Sequence, residues 1–340
     1  MTAAQSNGTA FAFVSTGAAI QEFSVAGHNI VLNFSNADFY LDRNDSYFGA
    51  TIGRVANRVQ GARINNLNGR SYQLAANNNP NSIHGGTSGW GYRTWTGPTK
   101  EVRDGREALV YRYRSQHGEE GYPATVDVSV SYVETTQLEQ GVEKTALIFE
   151  YEVSMAEEQE EDVQETVINV TNHSYFNLGD KPTIEGTQAT LATNLYLPLD
   201  DTGIPTAGPT VHDTVVDNKS FTLGEREPNF DDCFVVNPSP ANIPLDSRNS
   251  TLKTVASFYH PSTKLHLEVL TTEPAFQFYT GEYIDVPAIG DSPQRISRAG
   301  FCVEPSRYVN AANVENWRNM VVLKKGQVYG SRNIYKCWKT

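Results

Sequence analysis

A period-two alternation of apolar and polar residues, recurring along much of the chain, restricts the fold more than any other feature. Val126, Val128, Val130 and Tyr132 fall on one side of an extended segment, and Asp127, Ser129 and Ser131 fall on the other. That is the pattern of a strand with one face buried. Further strands are expected over 108–113, 146–153, 167–171, 264–271 and 276–280, mostly separated by Gly, Asn, Asp or Pro clusters. Helical periodicity is scarce. The pattern predicts an all-β protein built as a large antiparallel β-sandwich. Within GARINNLNGR, the pair Asn68 and Gly69 between Ile64 and Tyr72 predicts a tight hairpin.

At 340 residues the chain exceeds the usual single-domain length, but large sandwiches do so too. The stretch 177–229 holds Pro182, Pro198, Pro205 and Pro209 among many Gly and Thr. It would suit a linker if a different composition followed; none does, so one domain over 1–340 is expected. The acidic run Glu157, Glu158, Glu160, Glu161 and Asp162 reads as a solvated hairpin tip rather than a docking surface. No fixed-period repeat or low-complexity tract is present.

The formal charge of −12 argues against nucleic acid and anionic membranes as partners, because both are bound through clustered Lys and Arg. A neutral small molecule fits better. Cys233, Cys302 and Cys337 are odd in number and far apart, so they read as free thiols of a reducing compartment rather than a disulfide framework or a zinc knuckle. The segment 1–10 has neither a basic start nor a long apolar run, and a cytoplasmic location is expected. The sequons at Asn7, Asn44 and Asn218 are then chance matches.

Four features set chemically capable residues beside glycines or strand ends. In Gly53-Arg54-Val55-Ala56-Asn57-Arg58, two arginines and an amide among apolar neighbours need a polar ligand or a salt bridge if buried. In Ser82-Ile83-His84-Gly85-Gly86, a histidine precedes two glycines that permit close backbone approach. TVINVTNHSYFNL from Thr166 delivers His173 among Asn172, Ser174, Tyr175 and Phe176, a donor beside aromatic rings of the kind that pack against sugar faces. The fourth is a pair of carboxylates, Asp231 after Phe230 and Glu304 in GFCVEP. Apolar flanks tend to raise a carboxyl pKa towards that of a general base; a surface turn before Pro305 is the alternative reading of Glu304. Glu and His suit acid–base work, since their ordinary pKa values of about 4.3 and 6.5 leave one as carboxylate and the other able to donate near neutrality with modest tuning. No phosphate loop or closely spaced metal-ligand motif is evident.

Together the segments resemble the aldose 1-epimerase, or galactose mutarotase, family. The matching stretches are YFGATIGRVANR from Tyr47, NSIHGG from Asn81, GEEGYPA from Gly118, TNHSYFNL from Thr171, LYLPLDDTGIPTAG from Leu195, NFDDCF from Asn229, FQFYTGEY from Phe276 and FCVEPSRY from Phe301. Eight in family order are specific where one alone is weak. The resemblance implies a β-supersandwich with an open cleft, and interconversion of the α and β anomers of a free aldohexose such as galactose or glucose. It implies Glu304 as the base on the anomeric hydroxyl and His173 as the acid on the ring oxygen. His84, Asn57 and Arg58 would contact the sugar, Asp231 would accept from its hydroxyls, and Gln277 would support the site, with Tyr122 and Tyr279 as weaker candidates for cleft walls. No cofactor or metal is implied. The only partner expected is the sugar, and the protein is expected to be a monomer or weak dimer.

The chain departs from the family pattern at Pro305-Ser306-Arg307, at Asp232-Cys233 and at Ala124. The first two changes bear on sugar preference and the third on a turn. A hexose-6-phosphate epimerase would need cations beyond Arg58, for which Arg54 and Arg93 are the candidates. A glycoside hydrolase would use Asp231 and Glu304 as its carboxyl pair. A metal enzyme would draw on His84, His173, Asp231 and Glu304, and a binding protein could keep the fold without turnover.

Overall fold

The expected alternation is realised over greater lengths than the sequence marks out. In the computed structural model, which describes residues 10–158 and 162–340, strand Val126–Glu139 pairs antiparallel with Val142–Met155 along their whole length. Gln140 and Gly141, both at positive φ, make the two-residue turn between them. Val126, Val128, Val130 and Tyr132 face the core as expected. Val133 is also buried, because the opposite face carries a small cluster of its own with Ala108 and Val110.

These two strands lie in a nine-stranded sheet whose order is Phe221–Thr222, Gln188–Leu191, Lys253–His260, Leu265–Thr271, Val328–Lys339, Val142–Met155, Val126–Glu139, Arg106–Ser115 and Thr96–Arg103. A six-stranded sheet runs Tyr175–Phe176, Phe301–Ser306, Ala275–Tyr279, Asp231–Val235, Leu195–Tyr196 and Thr210–Val211. Every pairing within both sheets is antiparallel. Aromatic rings join the layers: Phe258 stacks on Phe301 at 4.2 Å and Tyr335 meets Phe176 at 5.0 Å, while Tyr335 and Phe149 pack at 4.8 Å within the larger sheet. The sandwich predicted from the sequence is thus present, and its main buried cluster draws on residues from Phe11 to Cys337.

The proline-rich stretch is part of the sandwich rather than a linker, since it contributes strands to both sheets. Asn68 and Gly69, both at positive φ, close the predicted hairpin between Arg63–Leu67 and Arg70–Gln73. The strand expected over 167–171 is broken into Glu165–Val167, paired with Val322–Lys324, and Thr171–Asn172, paired with Thr51–Ile52. Asn169 sits at the break. Its backbone bonds Arg54 and Ala56, and its side-chain oxygen accepts from Arg307 N at 2.9 Å, so the chain changes partners there. Of the acidic run, Glu157 and Glu158 are exposed and Asp162 pairs with Arg70 at 3.2 Å, while Glu160 and Glu161 lie outside the described residues. The sequon at Asn7 and most of segment 1–10 also lie outside them. All three cysteines are buried free thiols, as expected. Among the described residues no helix is long and apolar enough to cross a membrane.

One buried ion pair secures the end of strand Phe301–Ser306. Arg307 Nε lies 2.9 Å from Glu273 Oε2, with both side chains fully excluded from solvent. The remaining Arg307 N–H groups donate to the carbonyls of Pro244 and Leu245, and Tyr329 donates to Glu273 Oε1 at 3.1 Å. Burial pushes the Glu273 carboxyl up and Arg307 draws it down, so removing the arginine strands a charge in a dry site. Arg307→Ala is expected to lower stability by about 3–5 kcal/mol in urea unfolding, and the pair replacement Arg307→Met with Glu273→Leu by much less. Equal losses from both would show that packing alone matters there.

Candidate active site

The period of two in the six-stranded sheet sorts its side chains into two functions. Asp232, Phe234, Phe276, Phe278, Phe301 and Val303 share one face, and all but Asp232 belong to the main core. On the other face the register aligns Asp231 with Tyr279, Tyr279 with Cys302, Gln277 with Glu304, and Tyr175 with Cys302. Asp231, Gln277, Tyr279, Glu304 and Tyr175 therefore line a cleft of about 340 Å3 on the outer side of that sheet. Register selects Asp231 over Asp232 for the cleft, as the sequence reading did.

Loops supply the rest of the cleft. His173 follows strand Thr171–Asn172, and its backbone is held by Ala50 O at 2.9 Å and by Gly49 N at 3.1 Å. Asn172 fastens the same loop by donating to Gly49 O at 2.7 Å. His84 sits at a φ of 51° and donates its N–H to Asn57 O. The next residue, Gly85, passes so close to Gly53 that a Cβ would lie 1.9 Å from the Gly53 carbonyl oxygen. The expected close approach at the paired glycines is thus real. The carboxylate of Glu120 accepts from Thr87 N at 2.9 Å and Ser88 N at 3.0 Å, pinning the far side of this turn.

The acid–base candidates meet at the cleft floor. His173 Nε2 lies 3.6 Å from Glu304 Oε1, and each side chain is 5% exposed. A chain of amides runs beside them. Arg58 N donates to Asn57 Oδ1 at 2.8 Å, Asn57 Nδ2 to Gln277 Oε1 at 3.1 Å, and Gln277 Nε2 to Asp231 Oδ1 at 2.7 Å. With both ends of its amide engaged, Gln277 positions Asn57 and Asp231. Arg58 Nε donates to Asn78 Oδ1 at 3.0 Å. His84 Nδ1 accepts from Asn57 N at 3.3 Å, which leaves its Nε2–H as a donor.

Burial dominates the electrostatics. It pushes the Glu304 carboxyl well above its usual range, with neighbouring Asp231 adding to the rise and Arg58 opposing it. It pulls His173 down to about 4, and it also lowers His84 well below its ordinary value, with His173 and Arg58 adding to the fall. The tuning is therefore larger than the modest adjustment expected from the sequence: desolvation favours a protonated carboxyl and neutral imidazoles. A buried cluster of His173, Cys302 and Glu304 has ligand atoms within 4.8 Å of one another. Cys302 Sγ, however, faces Nδ1 at 3.4 Å while Glu304 faces Nε2. Opposite edges of one ring do not converge on a single ion without the ring turning.

All seven proposed site residues, Glu304, His173, His84, Asn57, Arg58, Asp231 and Gln277, line this cleft, as does Tyr279. Tyr122 does not. It is buried in the second core cluster with Arg54 5.5 Å from its ring, and the GEEGYP segment acts instead through Glu120 on the glycine turn. Arg54 and Arg93 are also elsewhere. Arg54 is fully buried and donates to the carbonyls of Pro123, Ala124, Ser115 and Gln116, while Arg93 pairs with Glu119. Neither the ligand nor the salt bridge weighed for Arg54 is used. Phe176 turns into the core while Tyr175 faces the cleft. Residues missed by the sequence reading are Tyr47, Asp45, Asn78 and Tyr283. Tyr47 packs 5.1 Å from His84 and 5.9 Å from His173. Tyr47 and Tyr283 stand at the ends of stretches that match the family pattern, a usable signal; Asp45 and Asn78 reach the cleft only through loop folding.

An imidazole and a carboxyl side by side on the buried floor of a cleft edged with amides and tyrosines can move protons on a polyhydroxylated ligand. The chain as a whole is similar to aldose epimerases. The family model described as aldose 1-epimerase matches residues 1–336. The chain is 34% identical over 306 residues to galactose mutarotase of Sus scrofa, covering 88% of this chain and 81% of that protein. It is 40% identical over 327 residues to the bifunctional protein GAL10 of Pachysolen tannophilus, covering 94% of this chain and 44% of that protein. It thus spans less than half the length of the bifunctional relatives it matches. A solved aldose epimerase homologue from C. elegans shares the fold with a TM-score of 0.79 at 21% identity, over 97% of this chain and 95% of that one. The chain belongs to the aldose 1-epimerase family.

Because the folded state favours protonated Glu304, its contribution to stability is present at acid pH and is lost as pH rises through the raised pKa. Glu304→Gln should therefore raise the Tm relative to wild type at pH 8 and raise it less, or not at all, at pH 4.5. A pH-independent difference in thermal melts would contradict the buried, uptitrated carboxyl.

Proposed function

We propose that the protein interconverts the α and β anomers of a free aldohexose such as galactose or glucose, with Glu304 as base and His173 as acid. The observation that carries the reading is the 3.6 Å spacing of His173 Nε2 and Glu304 Oε1 in a buried floor. The anomeric hydroxyl oxygen and the ring oxygen are bonded to the same carbon, so the reaction needs an acid and a base next to each other. Glu304 takes the proton of the anomeric hydroxyl while protonated His173 gives one to the ring oxygen, and the C1–O5 bond opens. The aldehyde rotates and closes on its other face with both transfers reversed.

The pKa shifts act on both sides of the step, disfavouring the carboxylate and imidazolium from which opening starts and favouring the neutral pair it leaves. Ring opening converts a charged carboxylate and imidazolium into a neutral acid and a neutral imidazole, the pair that burial favours. The site thereby drives both transfers towards the open sugar. His84, Asn57, Arg58 and Asp231 anchor hydroxyls, and the tyrosines supply ring faces. A free rather than phosphorylated sugar is favoured because, among the described residues lining the cleft, Arg58 is the only Arg or Lys. The relative from Sus scrofa carries the name galactose mutarotase, which fits the same sugar class. We take the chain as one catalytic domain, a reading supported by a core that spans Phe11 to Cys337.

Polarimetry of freshly dissolved α-D-galactose and α-D-glucose tests the proposal. Wild type should accelerate mutarotation, and Glu304→Gln and His173→Asn should each lose about 10²–10⁴ in kcat. Wild-type rates equal to the buffer blank on both sugars would sink it. The active pair carries one proton between its two groups, so kcat/KM should be bell-shaped in pH. The acid limb should fall near 4, where His173 gains a second proton for the pair, and the alkaline limb well above the usual carboxylate range. A single limb surviving in Glu304→Gln at residual activity would assign the other to the carboxyl.

A further inference from the structure

Three residues of the cleft hold their backbones in the left-handed region: Tyr47 at a φ of 59°, Asn57 at 57° and His84 at 51°. Asparagine tolerates that conformation, but a bulky ring rarely adopts it. Among the described residues Tyr47 is the only Tyr, Phe or Trp to do so. We propose that Tyr47 is a positioning residue: its loop holds it in this conformation so that its ring lies over the imidazoles of His173 and His84, fixes their mutual setting and shields His173 from water. The inference rests on the reading of His173 as the acid, and it adds the group that closes the solvent side of that histidine.

The loop is tied on both sides of Tyr47. Buried Asn44 accepts from Phe48 N at 2.6 Å and donates to Phe48 O at 3.2 Å, while Tyr47 N donates to Asn44 O at 2.9 Å. Ala50 N donates to Tyr47 O at 3.0 Å. An unfavourable backbone conformation persists where its surroundings over-determine it, as these bonds do. The far end of the side chain is fixed as well: the Tyr47 hydroxyl hydrogen-bonds that of Tyr92, whose ring packs 5.1 Å away.

The three rings meet in a triangle. Tyr47 lies 5.9 Å from His173 at 31° and 5.1 Å from His84 at 64°, and the two imidazoles meet edge-on at 5.2 Å. The other groups facing His173 are Tyr175 at 5.0 Å, Cys302 Sγ at 3.4 Å from Nδ1 and Glu304 Oε1 at 3.6 Å from Nε2. Tyr175, Cys302 and Glu304 are as buried as His173 itself, whereas Tyr47 and His84 are half-buried, so these two stand between His173 and solvent. Of the two, only the Tyr47 ring approaches parallel with that of His173, the orientation that covers a face. Burial is the larger influence on His173 and draws its pKa down, against a hydrogen bond with its own backbone that raises it. Asp45 and Glu120 act on the Tyr47 hydroxyl, and Asp231 and Arg58 act on Glu304. The covering ring, rather than a neighbouring charge, therefore sets the acid strength of His173.

Proton NMR titration of the His173 imidazole, run beside polarimetric pH profiles of kcat/KM, tests this in wild type, Tyr47→Phe, Tyr47→Ala and Tyr47→Gly. Wild type should titrate near 4, and Tyr47→Phe, which keeps the ring, should stay close to it. Tyr47→Ala and Tyr47→Gly should bind the proton about tenfold more tightly or better, moving towards the ordinary value of about 6.5. The acid limb of kcat/KM should rise with them, since it reports the free enzyme. Tyr47→Gly should also melt at a higher temperature than Tyr47→Ala, because both lack the ring but glycine suits the left-handed backbone; it remains usable if the alanine variant unfolds. A His173 midpoint still near 4 without the ring overturns the proposal, as does a wild-type midpoint already near 6.5. A midpoint that moves as far in Tyr47→Phe as in Tyr47→Gly also overturns it, by assigning the effect to the Tyr92 hydrogen bond. Equal melting temperatures for the glycine and alanine variants overturn the claim that the loop forces the ring into place. If the proposed reaction itself is wrong, wild type shows no mutarotation while the His173 midpoint still depends on the Tyr47 ring, so the two failures separate.

Discussion

The cleft depends on one sheet that is apolar on one side and polar on the other. Because side chains alternate along a strand, the residues that seal the core and those that face the cleft come from the same short segments. Phe276, Phe278, Phe301 and Val303 fix the sheet against its larger partner. Gln277, Tyr279, Cys302 and Glu304 are thereby presented on the other side. A one-residue slip in Phe301–Ser306 would bury Glu304 among phenylalanines and put Val303 in the cleft. The Arg307–Glu273 pair, just beyond the strand end, helps fix that register through bonds to the carbonyls of Pro244 and Leu245 and the hydroxyl of Tyr329.

Seclusion from water also sets the chemistry. A solvated glutamate and histidine would hold nearly their ordinary pKa values. On this floor the charged form of each is disfavoured, and the two shifts point in opposite directions along the pH scale. The neutral pair that desolvation prefers is also the pair that the proposed transfers would leave. Arg58, whose Nε donates to Asn78, opposes the rise at Glu304 without cancelling it.

Much of the site was legible because the relevant residues sit in short stretches with distinctive punctuation. The paired glycines after His84 announced a close backbone approach, and Gly85 does pass against Gly53. Asp231 is preferred to Asp232 as the residue directly after Phe230, and strand register sets it on the cleft face. Where the reading failed, a side chain's role depended on what another segment brought to it. Tyr122 had the composition of a cleft wall, but Arg54 and the second core cluster enclose it. Arg54 was weighed as a partner for a ligand or a carboxylate, and it is instead satisfied by backbone carbonyls some sixty or seventy residues away in the chain.

The sequence by itself determined the class of fold, the positions of most strands and the tight hairpin at Asn68 and Gly69. These follow from local rules, since period, turn chemistry and glycine placement act between near neighbours. Only the tertiary structure decided that His173 and Glu304 stand 3.6 Å apart, that the proline-rich stretch weaves between both sheets, and that Asn169 breaks a strand to change partners. It also decided how far burial moves the two pKa values. Distances between residues more than a hundred positions apart, and the water excluded between them, are properties of packing, and no local pattern encodes them.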